Sequence, residues 1–205
     1  MVKFKGLFLT VAVLALLSAC TFGGEADSEE PFPYNYIVEG FNYGGFAFPK
    51  AWNVTAISSH VRLTYRGEEP ENHQYAGIPY RYEFNFGKNA EDNLITDNVI
   101  EHYNQEQALN EGTHRQLYYH TADEEYAKLI ISTNGFLFVL TDFEETENWD
   151  VDGTTVMVIH DGRQWRANWL NDGGYYDLSV REAAGIDSEE AFRNILDMMV
   201  SPDSD

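Results

Sequence analysis

Cysteine and positive charge are both scarce in this sequence. Its 205 residues include one cysteine, and 13 lysine and arginine residues stand against 34 aspartate and glutamate residues, for a formal net charge of −21. One cysteine cannot form a disulfide within the chain. Because binding to phosphates needs clustered lysine and arginine, this charge argues against nucleic acid as a partner. Anionic membrane surfaces are disfavoured for the same electrostatic reason.

Signatures of catalysis are also missing from the sequence. The histidines form no His-Glu-x-x-His motif and have no cysteine partners, so the pattern of a zinc site is absent. His114 and His120 are the two histidines that could share a metal ion with a third ligand. Neither a Gly-x-Ser-x-Gly motif nor a phosphate-binding glycine loop occurs. We therefore expect no catalytic residue and no cofactor, and an envelope hydrolase ranks third among the functions considered.

One acidic segment has the composition of a cation site. Calcium binds clusters of carboxylate oxygens, but the EF-hand order, with glycine at loop position six and glutamate at position twelve, is not met here. We expect a solvated loop between two strands, and no metal site. The carboxylates that form the candidate cluster are Asp142, Glu144, Glu145, Glu147, Asp150 and Asp152.

No apolar run reaches the roughly 20 residues that a transmembrane helix needs. Two lysines followed by an apolar run over 6–17 are typical of the first two regions of an export signal. The motif Leu17-Ser18-Ala19-Cys20 then resembles the lipobox of bacterial lipoproteins. This resemblance implies that residues 1–19 are a cleaved signal peptide and that Cys20 carries fatty acyl chains. A plain secretory signal or an uncleaved anchor is the alternative.

The predicted mature chain consists of a short tether and one domain. Residues 20–33 are acidic and rich in glycine and proline, which indicates a flexible tether. Residues 34–205 form the body, predicted to be a single α+β domain outside the cell. The lipid would hold this domain on the outer side of the cell membrane. An exported surface this acidic also suits high salt or alkaline water.

The second half of the body predicts an antiparallel meander. A strand over 128–133 and one over 136–141 flank Asn134-Gly135, a strong hairpin signal. This hairpin would be central and covered on both sides, since both of its faces are apolar. It places Ile131 opposite Phe138 and Ile130 opposite Val139.

Two further turns give registers that agree with each other. A hairpin of 154–160 with 163–170 places Val158 opposite Trp165 and Val156 opposite Ala167. The connection 171–174 places Trp169 opposite Tyr176, Ala167 opposite Leu178 and Trp165 opposite Val180. These residues share one buried face, and the pairs Asn168–Asp177 and Arg166–Ser179 share the opposite face.

The chain is predicted to end in a helix that packs on one face of the sheet. Asp187 and Glu190 fit a capping box, and Phe192, Ile195, Leu196 and Met199 form one apolar stripe. Alternating patterns upstream predict further strands over 54–57, 60–66, 80–86 and 115–120, while 90–110 suits a polar helix or an irregular segment. The predicted class is α+β, an antiparallel meander with a C-terminal helix. The alternative is a curved half-barrel of the lipoprotein-carrier type.

Several motifs occur in the order found in a known family. They are Phe48-Pro49, Val61-x-Leu63-x-Tyr65, Val151-x-Gly153, Trp165 or Trp169, Tyr176-x-Leu178 and Ser188-x-Glu190. With these motifs the body resembles a domain-of-unknown-function family of Gram-positive lipoproteins and membrane-anchored extracellular proteins. The resemblance implies an extracytoplasmic, non-catalytic module and supplies no catalytic residues.

These observations favour a lipid-anchored binding or interaction module of a bacterial envelope. Its partner would be an envelope protein or a small apolar ligand. In the alternative, a carrier, the sheet would curve around an acyl chain in a cavity lined by Phe138, Trp165 and Trp169. Aromatic residues crowded over 34–52 would cap the core, or else line a concave face for an apolar or sugar ligand.

Overall fold

The computed structural model describes residues 32–61, 63–65, 73–75, 78–109 and 114–202. Across these residues the chain forms two helices, α1 (Asp97–Leu109) and α2 (Glu189–Val200). The strands are β1 (Asn53–His60), β2 (Leu63–Tyr65), β3 (His73–Tyr75), β4 (Arg81–Leu94), β5 (His114–Ser132), β6 (Glu147–Val151), β7 (Thr154–His160), β8 (Gln164–Asn171) and β9 (Gly174–Arg181).

Seven of the strands form one open antiparallel sheet in the order β1-β4-β5-β9-β8-β7-β6, and β2 pairs with β3. The first half of β5 pairs with β1, whereas its second half lies between β4 and β9. The predicted α+β class with a C-terminal helix is therefore confirmed. The open sheet with α2 on one face corresponds to the first of the two predicted architectures.

The β8–β9 hairpin has the predicted register. Trp169 lies opposite Tyr176 and Ala167 opposite Leu178. Asp172 and Gly173 supply the two positive φ angles of the turn, 47° and 84°, as a two-residue type I′ turn requires. Local turn chemistry alone is enough to set this pairing.

The β7–β8 hairpin is displaced by two residues from the predicted register. Val158 lies opposite Ala167 instead of Trp165. The cause is the side chain of Asp161, whose Oδ1 accepts hydrogen bonds of 3.0 Å from the backbone N–H groups of Arg163 and Gln164. This moves the centre of the turn one residue along the chain. A shift of two leaves every side chain on its predicted face.

The predicted central hairpin does not form. β5 ends at Ser132, residues 133–139 are not a strand, and Leu140–Asp142 is a short 3-10 helix. Ile131 of β5 lies opposite Tyr82 and Tyr176 instead of Phe138. The prediction over 136–141 is therefore wrong, and side chains of β8 and β9 explain why, as described below.

One face of the sheet is covered by α2 and by the N-terminal aromatic residues. The predicted stripe of α2 is buried on strand residues from β4 to β9, and Phe41, Phe46 and Trp52 extend the same core. The helix cap differs from the prediction by one position. Ser188, not Asp187, is the N-cap residue, and its Oγ accepts a hydrogen bond from Ala191 N–H.

The N-terminal half contains a helix where the sequence left two possibilities. α1 occupies most of 90–110, and β4 continues to Leu94, eight residues beyond the predicted strand. Asn104, which is buried, fixes α1 to β5 because its side-chain amide donates to the carbonyl of Gln116 (2.6 Å) and accepts from Gln116 N–H (2.7 Å). At the end of the predicted tether, Phe32 packs its ring 5.2 Å from Tyr118.

Candidate binding site

The face of the sheet opposite α2 carries most of the polar side chains of the central strands. We call it the polar face, and it includes Glu83 on β4, Lys128 on β5, Arg166 on β8 and Asp177 on β9, since successive strand residues alternate between the two faces. Residues 133–146, which we call the apolar loop, cross this face. The polar face and the apolar loop together form the candidate site.

Two buried side chains hold the apolar loop on the sheet. The carboxylate of Asp177 accepts hydrogen bonds from the backbone N–H groups of Leu137 (2.9 Å) and Phe138 (3.2 Å). Asn168 donates to the same carboxylate (2.7 Å), and its own carbonyl oxygen accepts from Leu140 N–H (3.2 Å). This Asp177–Asn168 clamp satisfies backbone groups that a strand partner would otherwise satisfy. It explains why 136–140 is a loop and not a strand.

Burial affects the ionisation of Asp177. Removal of the carboxylate from water raises its pKa above the usual range for aspartate, although its three donors and the charge of Arg81 act in the opposite direction. The three hydrogen bonds that the carboxylate accepts come from neutral amides. The clamp therefore depends on a carboxylate that is costly to bury.

The apolar loop exposes its largest side chains. Leu137, Phe138, Val139 and Phe143 are each 45 to 49% exposed, and only Leu140 is buried. Exposed apolar clusters of this kind mark interaction surfaces more often than isolated exposed residues do. The sequence pattern that suggested a buried strand was therefore the signal of a surface feature. The predicted pairing of Asn168 with Asp177 on the outer face is confirmed, and it was the available clue to the clamp.

A groove of about 420 Å³ lies between the apolar loop and the polar face. Its lining includes three basic side chains (Lys128, Arg166 and Arg181), the acidic Glu125 and Asp177, and apolar atoms of the loop. These five charged groups sum to one positive charge. The groove is thus positive within a chain whose net charge is −21.

The three basic residues of the groove differ in how they are paired. Lys128 forms an ion pair with Glu83, and Arg181 forms one with Glu125. The nearest carboxylate oxygen to Arg166 belongs to Asp161 and lies 3.7 Å away. Asp161 already accepts hydrogen bonds from both backbone and side-chain donors of its own turn. Arg166 is therefore the least engaged cation of the groove.

Arg166 also has an unused donor and an aromatic neighbour. Its Nε is shielded from solvent and has no hydrogen-bond partner among the described residues. Its guanidinium carbon lies 5.7 Å from the ring centre of Phe138, within the range of a cation–π contact. A second cavity of about 420 Å³, which Phe143 and Glu145 help to line, reaches the other side of Arg166.

A network of charges at one end of the polar face centres on Glu83. Burial would raise the pKa of this carboxyl, but hydrogen bonds from His60 and Lys128 and the charges of Lys128 and Arg81 outweigh it and lower the pKa to about 2. The distances from Glu83 Oε1 are 2.9 Å to His60 Nε2 and 3.1 Å to Arg81 Nη2. No sequence pattern indicates this network, because its members come from three separate strands.

The two histidines that the sequence offered as metal ligands, His114 and His120, have different neighbours. The ring of His114 lies 4.9 Å from that of His60. The pKa of His114 is lowered, mainly by burial and also by the charge of His60. His120 instead has its Nδ1 2.9 Å from the carbonyl oxygen of Thr121. In the part of the chain that the structure describes, no three histidine, cysteine or acidic side chains are grouped so as to hold a metal ion.

The acidic segment over 142–152 is partly a strand, where a loop was expected. Glu147 and Asp150 are part of β6, whereas Asp142 ends the 3-10 helix that follows the apolar loop. The prediction of a loop is therefore wrong over 147–151, whereas Asp152 lies in the turn that follows β6. The tether of 20–33 and Cys20 lie outside the described residues, except for Phe32 and Pro33. Within the described ranges, none of the helices has the length and apolar character needed to cross a bilayer.

The cavity predicted for the carrier alternative does not form from the residues expected. Trp165 stacks on Phe192 at 4.9 Å and Trp169 on Tyr176 at 4.9 Å, both on the α2 side of the sheet. Phe138 lies on the polar face. The aromatic residues of 34–52 pack against the core, with Phe41 and Phe46 buried.

In the comparisons with known proteins, the chain matches no family model, no curated protein and no solved structure.

Proposed function

We propose that this protein is a lipid-anchored binding module of a bacterial envelope, and that it binds through its polar face without catalysing a reaction. The observation that carries the proposal is the apolar loop. A buried carboxylate and a buried amide hold it in place, yet four of its large apolar side chains are exposed to solvent. Large apolar side chains that are held in place and yet remain exposed are the pattern expected of a surface kept for binding.

The anchor is supported by the lipobox and is tested by fractionation of cells. Cys20→Ala removes the sulfur to which the acyl chains would attach, so the full chain should move from the membrane fraction to the soluble or secreted fraction. Ser18→Thr, which keeps Cys20, serves as the control and should leave the protein in the membrane fraction. Retention of the Cys20→Ala protein in the membrane would contradict lipid anchoring.

The binding face is tested by photo-crosslinking in intact cells. A photoreactive residue replacing Leu137 or Phe143 should give adducts with a partner, because both side chains are exposed on the apolar loop. The same residue at Glu190, exposed on α2, is the matched control on the other side of the sheet. Equal adducts from all three positions, or adducts from position 190 alone, would contradict binding through the polar face.

A second candidate function, an apolar-ligand carrier, is supported by a different cavity. About 350 Å³ of mostly apolar space lies between α1 and the first half of β5, with Ile95, Val99, Ile100, Tyr103 and Tyr119 in its lining. Native mass spectrometry of the protein, purified from its own cells in mild detergent, should then show added mass that matches a lipid. Val99→Asp should remove this mass. A bare protein mass would favour the binding module.

A further inference from the structure

We propose that the groove binds a carboxylate that is joined to an apolar group, and that Arg166 holds the carboxylate. The inference rests on the proposed function, since the groove belongs to the polar face. It names the class of ligand that this face recognises.

The charge of the groove selects a monoanion. Lys128 and Arg181 are matched by Glu83 and Glu125. The three basic and two acidic side chains that line the groove leave one positive charge. Arg166 is the cation with the weakest ion pair, because its nearest carboxylate, that of Asp161, lies 3.7 Å away. A single carboxylate balances one guanidinium, whereas a phosphate dianion would leave excess negative charge beside Glu125 and Asp177.

The geometry of arginine fits a planar carboxylate. A guanidinium presents its donors as a rigid fork that matches the two oxygens of a carboxylate. The Nε of Arg166 is shielded from solvent and has no partner among the described residues, so a pair that uses this donor requires the side chain to move. The Phe138 ring beside the guanidinium limits its rotation and keeps water from part of it. Both effects strengthen a charged hydrogen bond.

The same groove supplies a place for the apolar part of the ligand. Ile130, Leu137 and Phe138 line it next to Arg166. The cavity on the other side of Arg166 is unsuitable for the anion, because Glu145 and Asp161 line it. A ligand with a carboxylate at one end and an apolar group at the other therefore has one orientation that satisfies both.

The test is calorimetric titration of the full chain in mild detergent with N-acetylphenylalanine, an apolar carboxylate. The wild-type protein should bind this probe and should bind the neutral N-acetylphenylalanine amide at least about tenfold more weakly, as a charged hydrogen-bond pair is lost. Arg166→Gln should lower the affinity for the acid about tenfold or more, and Arg166→Lys should give an intermediate value. Phe138→Ala should weaken binding of both probes, and of the acid more than of the amide, because the ring lies beside the guanidinium.

The matched control is Arg163→Gln, which removes the same charge from the same hairpin but lies at the exposed turn, outside the groove lining. Its affinity for the acid should stay within about twofold of wild type, since exposed charges contribute little. Near-ultraviolet circular dichroism of each variant verifies that the fold is retained. If Arg166→Gln does not fold, Arg166→Lys and Phe138→Ala decide the question.

Three results would overturn the inference: no binding of the acid by the wild type, equal affinity for acid and amide, or tighter binding of phenyl phosphate than of the carboxylate. These results are separable from failure of the proposed function. If calorimetry shows no preference for the acid but crosslinking from position 137 persists, the carboxylate ligand is contradicted and binding through the polar face is retained. If crosslinking from position 137 is absent in an otherwise wild-type chain, binding through the polar face is itself contradicted.

Discussion

Asp177 is the residue on which the candidate site most depends. Asp177→Ala leaves the N–H groups of Leu137 and Phe138 without their acceptor. Hydrogen bonds to a charged acceptor each contribute about 1.5 to 3 kcal/mol, so the free energy of unfolding should fall by about 2 to 3 kcal/mol after relief of the buried charge. Urea unfolding measures this. Ser179→Ala, two residues along the same face, should change it by about 0.5 kcal/mol or less.

Glu83 should determine part of the acid stability. Its pKa is about 2 in the folded protein against an ordinary value of 4.5. A carboxyl whose folded pKa is depressed stabilises the fold above its unfolded pKa, and this contribution is lost as the pH falls from about 4.5 towards 2. Wild type should therefore lose stability across that window, by at most about 3 kcal/mol from this group.

The comparison that isolates this effect is between two glutamine variants. Glu83→Gln should flatten the pH dependence between about pH 4.5 and 2. Glu91→Gln, exposed on the same strand, should retain the slope of the wild type. Equal slopes for both variants in acid titrations of unfolding would show that the charge network around Glu83 contributes nothing to acid stability.

Among the elements, most of those fixed by neighbouring residues were predicted well, although the register of the β7–β8 hairpin was displaced by two residues. The β8–β9 hairpin follows from Asp172-Gly173, and α2 follows from a regular apolar stripe and an N-terminal cap. The loop over 136–140 was missed because its partners, Asn168 and Asp177, are 28 to 40 residues away in the sequence. Arg166, Asp177 and Ser179 of the groove were placed on the correct face, but a cavity depends on where a loop crosses that face. No local pattern contains this information.

The cap of α2 gives a test at the same scale. Ser188→Ala should lower the free energy of unfolding by about 1 kcal/mol, because Ala191 N–H loses its acceptor. Asp187→Ala should have a much smaller effect, as its side chain is not the cap. Chemical denaturation of both variants distinguishes the two positions. A larger loss of unfolding free energy in Asp187→Ala than in Ser188→Ala would show that Asp187 is the N-cap residue.

At the scale of the whole molecule, charge repulsion opposes folding. With a net charge of −21, raising the salt concentration should screen this repulsion and raise the melting temperature. We expect a steady rise from about 0.05 to 1 M sodium chloride, measured by calorimetry. Potassium chloride is the control, because screening depends on ionic strength and not on the identity of the cation. A melting temperature that is highest in the lowest salt would contradict this account.

The clamp also has a consequence for the order in which the molecule is assembled. Its two side chains belong to β8 and β9, which follow the apolar loop along the chain. When the loop leaves the ribosome, neither acceptor has yet been made. The loop can take its final shape only after the downstream hairpin has formed and joined β5. The apolar loop is therefore the last part of this face to be completed, and no truncated chain that ends before β9 can hold it in this position.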